Sequence, residues 1–184
     1  MSAPYFRLVQ GREMSTQRLH IQGNMGLEFL DAKPLLDAWE PLVLTYSSIR
    51  RLPDLFEMGG RRIVSPRLRA ILVLFRANAE FLPVTVQNNA GVTARSFSIL
   101  HPLELIDCID YVNSEFDRYG TGSNFTVARY KRLVFDNDVV AGRHFFKPQR
   151  DASSYVSTEL RSSVELAGLQ VRFEPLEGSD SGVP

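Results

Sequence analysis

The 184-residue sequence is poor in the features that announce a chemistry. It holds one cysteine, Cys108, so no disulfide can form within the chain, and a reducing compartment is expected. No apolar run approaches the roughly 20 residues needed to span a bilayer. The first residues, "MSAPYFRLVQGREM", lack an apolar core followed by a small-residue cleavage site, so no signal peptide and a cytoplasmic location are expected. Neither sign of charge is in excess: 21 Lys and Arg offset 21 Asp and Glu, leaving no global field to draw the chain to nucleic acid or to an anionic membrane.

Phosphate-cradling glycine patterns are missing too. Gly59 and Gly60 in "EMGGRR" have neither the G-x-x-x-x-G-K nor the G-x-G-x-x-G spacing and read as a turn. His20, His101 and His144 are scattered, with no second His or Cys at ligand spacing. A serine or cysteine nucleophile needs a base beside it. Ser65 and Ser157 each precede an amphipathic pattern and read as helix caps, while the apolar and acidic setting of Cys108, "IDCID", raises a thiol pKa. The expectation is a protein that is not an enzyme and carries no metal and no cofactor.

What is present is an ordinary globular composition, of a length suited to one domain. Two stretches follow one plan, "IVSPRLRAILVLFRANAEFLPV" and "YVSTELRSSVELAGLQVRFEP". In the first, Ser65 caps, Pro66 suits the first helical position, and Leu68, Ile71, Leu72 and Phe75 form a helical stripe that Asn78 can stop. In the second, Ser157 caps, Leu160, Val164 and Ala167 share a face, and Gly168 stands where a terminating glycine belongs, with Leu169 folding back onto Val164. A strand follows each helix, "FLPVTVQNNAG", with Pro83 hinting at an edge, and "QVRFEP". Leu68, Leu72, Phe75, Leu160, Val164 and Phe173 are the expected core.

"PYFRLV" reads as a strand, and "QGREMSTQRLHIQGNMG" as a polar surface segment. Trp39, the single tryptophan, reads as core or a packing lid. "TARSFSILHP", "TVARYKRLVFD" and "VVAGRHFFKP" have the β-branched and aromatic content of strands. "LELIDCIDYV" is open between a helix, which would align Leu105, Ile106, Ile109 and Val112, and an extended segment. The expected fold is α+β: a largely antiparallel sheet with helices packed on it and two similar helix-to-strand units.

Charge is segregated locally. Arg50, Arg51, Arg61, Arg62, Arg67, Arg69 and Arg76 face only Asp54 and Glu57 in their span. Glu104, Asp107, Asp110, Glu115 and Asp117 have no basic residue within theirs. These spans either neutralise each other or are solvated, or the acidic one is a surface that steers a basic protein partner. On the second reading those five carboxylates are the candidate partner-binding residues.

The succession "IVSPRLRAIL", "EFLPVTV", "FSILHPLELIDCIDYVNSEF", "YKRLVFDNDVVAGRHFFKP" and "YVSTELRSSVELAGLQVRFEP" resembles the eleventh immunity family of bacterial polymorphic toxin systems, formerly a domain of unknown function. The resemblance covers 61–176, with 1–60 as an N-terminal segment packed on or extending that domain and 177–184 as a flexible tail. It implies a cytoplasmic protein without catalytic residues that binds and neutralises a cognate toxin by occluding its active site. A nuclease is the toxin class favoured, because its basic cleft suits an acidic patch. The alternative is a regulatory or structural interaction module unconnected with toxins.

Overall fold

In the computed structural model, which describes residues 5–10, 19–22, 32–46, 52–88, 93–121 and 124–176, strands dominate. They are β1 (Tyr5–Val9), β2 (Leu19–Gln22), β3 (Leu42–Tyr46), β4 (Leu55–Met58), β5 (Arg61–Val64), β6 (Ala79–Asn88), β7 (Thr93–Pro102), β8 (Glu115–Thr121), β9 (Asn124–Arg132), β10 (Phe145–Phe146), β11 (Tyr155–Ser157) and β12 (Arg172–Pro175). The helices are α1 (Pro66–Leu74), the short α2 (Asn137–Val140) and α3 (Thr158–Leu166), with a 3-10 turn at Leu36–Ala38. The class is α+β, as expected. One sheet runs β10-β11-β1-β12, a second β2-β3-β6-β7-β5-β4, and β8 pairs with β9 alone. Only β3 and β6 pair in parallel among the described strands.

The two-residue period of the strands distributes their side chains between separate cores. Within the six-stranded sheet, Phe56, Ile63, Leu82, Val84, Phe97 and Ile99 point into one cluster, against which Trp39 packs. Leu55, Val64 and Leu100, their neighbours in sequence, point into another. That second cluster is shared: Leu8 and Val156 enter it from the four-stranded sheet, and Leu68, Leu72, Leu160 and Val164 from α1 and α3. The helices thus bind the two sheets together. A third, aromatic cluster gathers Tyr5, Phe135, Phe146 and Tyr155 on the opposite face of the four-stranded sheet.

Both long helices start and stop by the same local bonds. Ser65 Oγ accepts the Leu68 N–H at 3.2 Å, and Ser157 Oγ the Leu160 N–H at 3.3 Å. At the far end of α3, the Gly168 N–H donates to Glu165 O and the Leu169 N–H to Val164 O, with Gly168 at φ 62°. In α1 the Arg76 N–H donates to Val73 O and the Ala77 N–H to Leu72 O, with Arg76 at φ 53°. The left-handed residue is therefore Arg76 and not Asn78, because the helix ends two residues earlier and Ala77 supplies the apolar contact onto Leu72.

Several expectations need correcting. Pro83 lies in β6, an interior strand, but the parallel ladder with β3 begins at Leu42 opposite Val84, one residue beyond it. The missing N–H thus falls outside that ladder, and Trp39 Nε1 donates to the Pro83 carbonyl there at 2.8 Å. "VVAGRHFFKP" is a strand only at Phe145–Phe146. Asp136 accepts from the Asp138 N–H and starts α2 upstream of it. "LELIDCIDYV" is neither a helix nor a strand: it is tied down by isolated bridges, Ile106 to Pro148 and Ile109 to Phe135. Ile106 and Ile109 are buried but Val112 is 91% exposed, so the helical stripe does not form. Of the expected core, Leu68, Leu72, Leu160 and Val164 are buried, whereas Phe75 and Phe173 are half-buried at its margin. Within "QGREMSTQRLHIQGNMG", Leu19–Gln22 is a strand paired with β3, and residues 11–18 and 23–26 lie outside the described residues, as do Arg50, Arg51 and the tail 177–184.

Candidate functional site

The acidic stretch does not form one carboxylate stripe. Glu104 accepts from Arg143 Nη1 at 2.8 Å and Nη2 at 3.3 Å, and from Asn78 Nδ2 at 3.3 Å. The Arg143 hydrogen bonds hold its carboxyl below the usual glutamate range. Asp107 is exposed and accepts from Tyr111 Oη at 3.2 Å; burial, reinforced by Asp107, pushes the Tyr111 phenol up to about 12. Asp110 closes a turn by accepting from the Val112 and Asn113 N–H groups, both at 3.0 Å, and from Asn113 Nδ2 at 2.6 Å. Those bonds lower its carboxyl pKa. Glu115 and Asp117 lie on β8, where Glu115 is 3.8 Å from Arg132 Nη2 and Asp117 stands opposite Arg129. Cations distant in sequence therefore pair with two of the five carboxylates, Glu104 and Glu115.

The arginine-rich span is not what neutralises them. Arg62 is largely buried, donating to Ser154 Oγ at 2.9 Å and lying 3.3 Å from Glu57, so it joins the two sheets. Arg67 donates to Ala167 O at 2.6 Å, tying the start of α1 to the end of α3. Arg69 lies over the Phe81 ring. Arg76 makes no hydrogen bond or ion pair through its guanidinium among the described residues.

Two features were not legible in the sequence. The first is Asp54, a buried carboxylate that accepts from Ser65 Oγ at 2.6 Å and from the Gln170 N–H at 2.9 Å. It links the cap of α1 to the segment leaving α3, over 116 residues of chain. The second is a crevice of about 600 Å³ at the C-terminal end of α1, walled by Leu74, Phe75, Arg76, Arg143, His144 and Phe145. The His144 ring meets Phe75 edge-on at 5.0 Å, and its Nδ1 lies 2.9 Å from Ser157 Oγ. A surface arginine directly after an amphipathic helix is the only hint of this place in the sequence.

Ser157 and Cys108, the serine and cysteine weighed as nucleophiles, are both buried. Ser157 touches a histidine, but it is 3% exposed and its oxygen already caps α3, so no substrate can reach it. Cys108 is fully buried, and that burial pushes its thiol up to about 12. His101 is buried with Nε2 2.8 Å from Lys33 O, a packing role. Among the described residues no group of three or more His, Cys, Asp or Glu side chains is placed to hold a metal ion. No helix among them is long and apolar enough to cross a membrane.

The order of the motifs along the chain can be set against known families. The sequence profile of the Imm11 immunity protein family matches residues 9–177. The chain belongs to that family. No curated protein matches it significantly. The Imm11 match reaches back to residue 9 and so takes in most of the first 60 residues, which the motifs alone had left out. The described strands of that region belong to the sheets of this Imm11 chain: β1 lies between β11 and β12, and β3 beside β6. An immunity role, with a toxin as the general kind of partner, follows from membership.

Proposed function

We propose that this protein binds a cognate toxin in the cytoplasm and neutralises it by covering its active site, without catalysis of its own. The observation that carries this reading is the family match over residues 9–177. The buried, pKa-raised Cys108 and the inaccessible Ser157 support a binding role over turnover. A standard interface needs about 800 Å² from each partner, a fraction of the 11025 Å² accessible here. The two Ser-capped helices and the strands around them supply a stiff scaffold, with the N-terminal strands built into a domain whose remainder is 61–176. The acidic stretch Glu104, Asp107, Asp110, Glu115 and Asp117 is the proposed contact region, and a nuclease the proposed toxin.

Co-expression with the toxin encoded beside the gene tests this: cells survive and the two proteins co-purify. Reversing the exposed charges with Asp107→Lys and Asp110→Lys slows association, and high salt mimics that loss, because rim charges act on the on-rate. A wild-type protein that neither protects nor binds refutes the immunity reading. A folded double variant that binds normally removes the acidic stretch from the interface.

A further inference from the structure

The crevice at the end of α1 combines three properties. Its lip is apolar: Leu74 is 77% exposed, on a helix whose Leu68 and Leu72 are fully buried. Its edge carries Arg76, the one non-glycine described residue with positive φ, whose guanidinium is left without a partner among the described residues. Its far wall is already ordered. Glu104 grips Arg143 with two bonds, Arg143 Nε donates to Val139 O at 3.2 Å, and His144 is held between Phe75 and Ser157. The volume, about 600 Å³, is that of a pocket that takes a ligand or a protruding side chain.

We propose that this crevice receives an apolar side chain of the cognate toxin, with a neighbouring toxin carboxylate paired to Arg76. The proposal rests on the immunity reading and adds a second contact to the acidic stretch. Exposed Leu74 gains by being covered, and a fixed wall costs little entropy when it is. The charge on Arg76 then selects what accompanies the apolar group. A guanidinium pairs a carboxylate through two parallel hydrogen bonds, and it repels a lysine or arginine at the same place. Arginine beside a filled apolar pocket is also the composition that dominates binding energy at protein interfaces. Glu104 serves the same site indirectly: both of its partners, Asn78 and Arg143, line the crevice, so its carboxylate positions the wall.

The test uses the full-length protein and a catalytically inactivated form of the toxin encoded beside its gene, with affinity measured by calorimetry. Leu74→Asp and Arg76→Glu each weaken binding by about tenfold or more, the scale of a hot-spot residue. Arg76→Gly removes the guanidinium while suiting the left-handed backbone, so its affinity falls while its melting temperature stays level or rises. A residue that merely shaped the helix end would move the melting temperature and leave affinity alone. A photo-crosslinking residue in place of Leu74 captures the toxin. Wild-type binding with all three variants equally tight overturns the crevice and leaves the immunity reading standing. No wild-type binding overturns both. Self-association of the wild type that Leu74→Asp abolishes assigns the crevice to a second copy, and also overturns the proposal.

Discussion

The two Ser-capped helices invite comparison position by position. Three residues after the cap stand Leu68 and Leu160, and seven after it Leu72 and Val164, all four fully buried. Four residues after it stand Arg69 and Arg161, each over a phenylalanine ring, Phe81 at 5.4 Å and Phe6 at 4.2 Å. Eleven residues after it both segments turn left-handed, and there they part: α3 uses Gly168 and α1 uses Arg76. Glycine adopts that backbone freely, whereas a side chain is crowded against the carbonyl. The helix that departs from the economical solution is the one whose end borders the crevice. The lesson is that the shared positions build the scaffold, and the position that differs carries a side chain the scaffold does not need.

That comparison can be broken, starting where most is at stake. Leu72→Ala and Leu160→Ala each lose about 2–5 kcal/mol in chemical denaturation, because both side chains are fully buried in the core the helices share. A loss at one and not the other shows that the helices do not bear equal weight. Next comes Asp54→Ala, which leaves Ser65 Oγ and the Gln170 N–H without an acceptor and costs about 1–3 kcal/mol for each buried group abandoned. Ser65→Ala and Ser157→Ala each cost about 1 kcal/mol as caps, and each also loses a second bond, to Asp54 and with His144 respectively. Gly168→Ala lowers the melting temperature through about 1–2 kcal/mol of left-handed strain at φ 62°, in contrast to Arg76→Gly.

The smallest effect is one of pH. Glu104 has a lowered carboxyl pKa in the folded state, so its pairing stabilises the fold above the ordinary glutamate pKa. That contribution is lost as the pH falls through the depressed value. The pair is part-exposed, with side chains 34% and 39% accessible, which keeps the effect below about 1 kcal/mol. Acid titration of stability in Arg143→Ala, compared with the wild type, shows this component gone.

Much of this was legible in local pattern. The Ser caps, the Leu stripes, the Gly168 stop and the Gly59–Gly60 turn each depend on residues within a dozen positions of one another, and each stands where the spacing put it. What misled was also local. Asn78 offered a conventional stop, but the helix ends at Leu74 and Arg76 takes the left-handed place, with the Ala77 N–H closing onto Leu72 O. Pro83 looked like an edge residue, and whether its missing N–H matters depends on where a strand forty residues away begins. The acidic stretch lacked cations within its own span, and Arg143 and Arg132 reached it from later in the chain.

The sequence by itself determined what short-range chemistry can decide. It set the caps and stripes of the two helices and the β-content between them. It also carried enough ordered motif to mark the family. Tertiary structure alone decided how the pieces meet. It inserted β1 between β11 and β12, joined two sheets through a helix pair, and tied the cap of one helix to the exit of the other through Asp54. It also set Arg143 and His144 across from Arg76 to open the crevice. The reason is physical: hydrogen bonds within a turn are chosen by neighbours in the chain, whereas burial, ion pairing and concavity depend on which distant surfaces exclude water together.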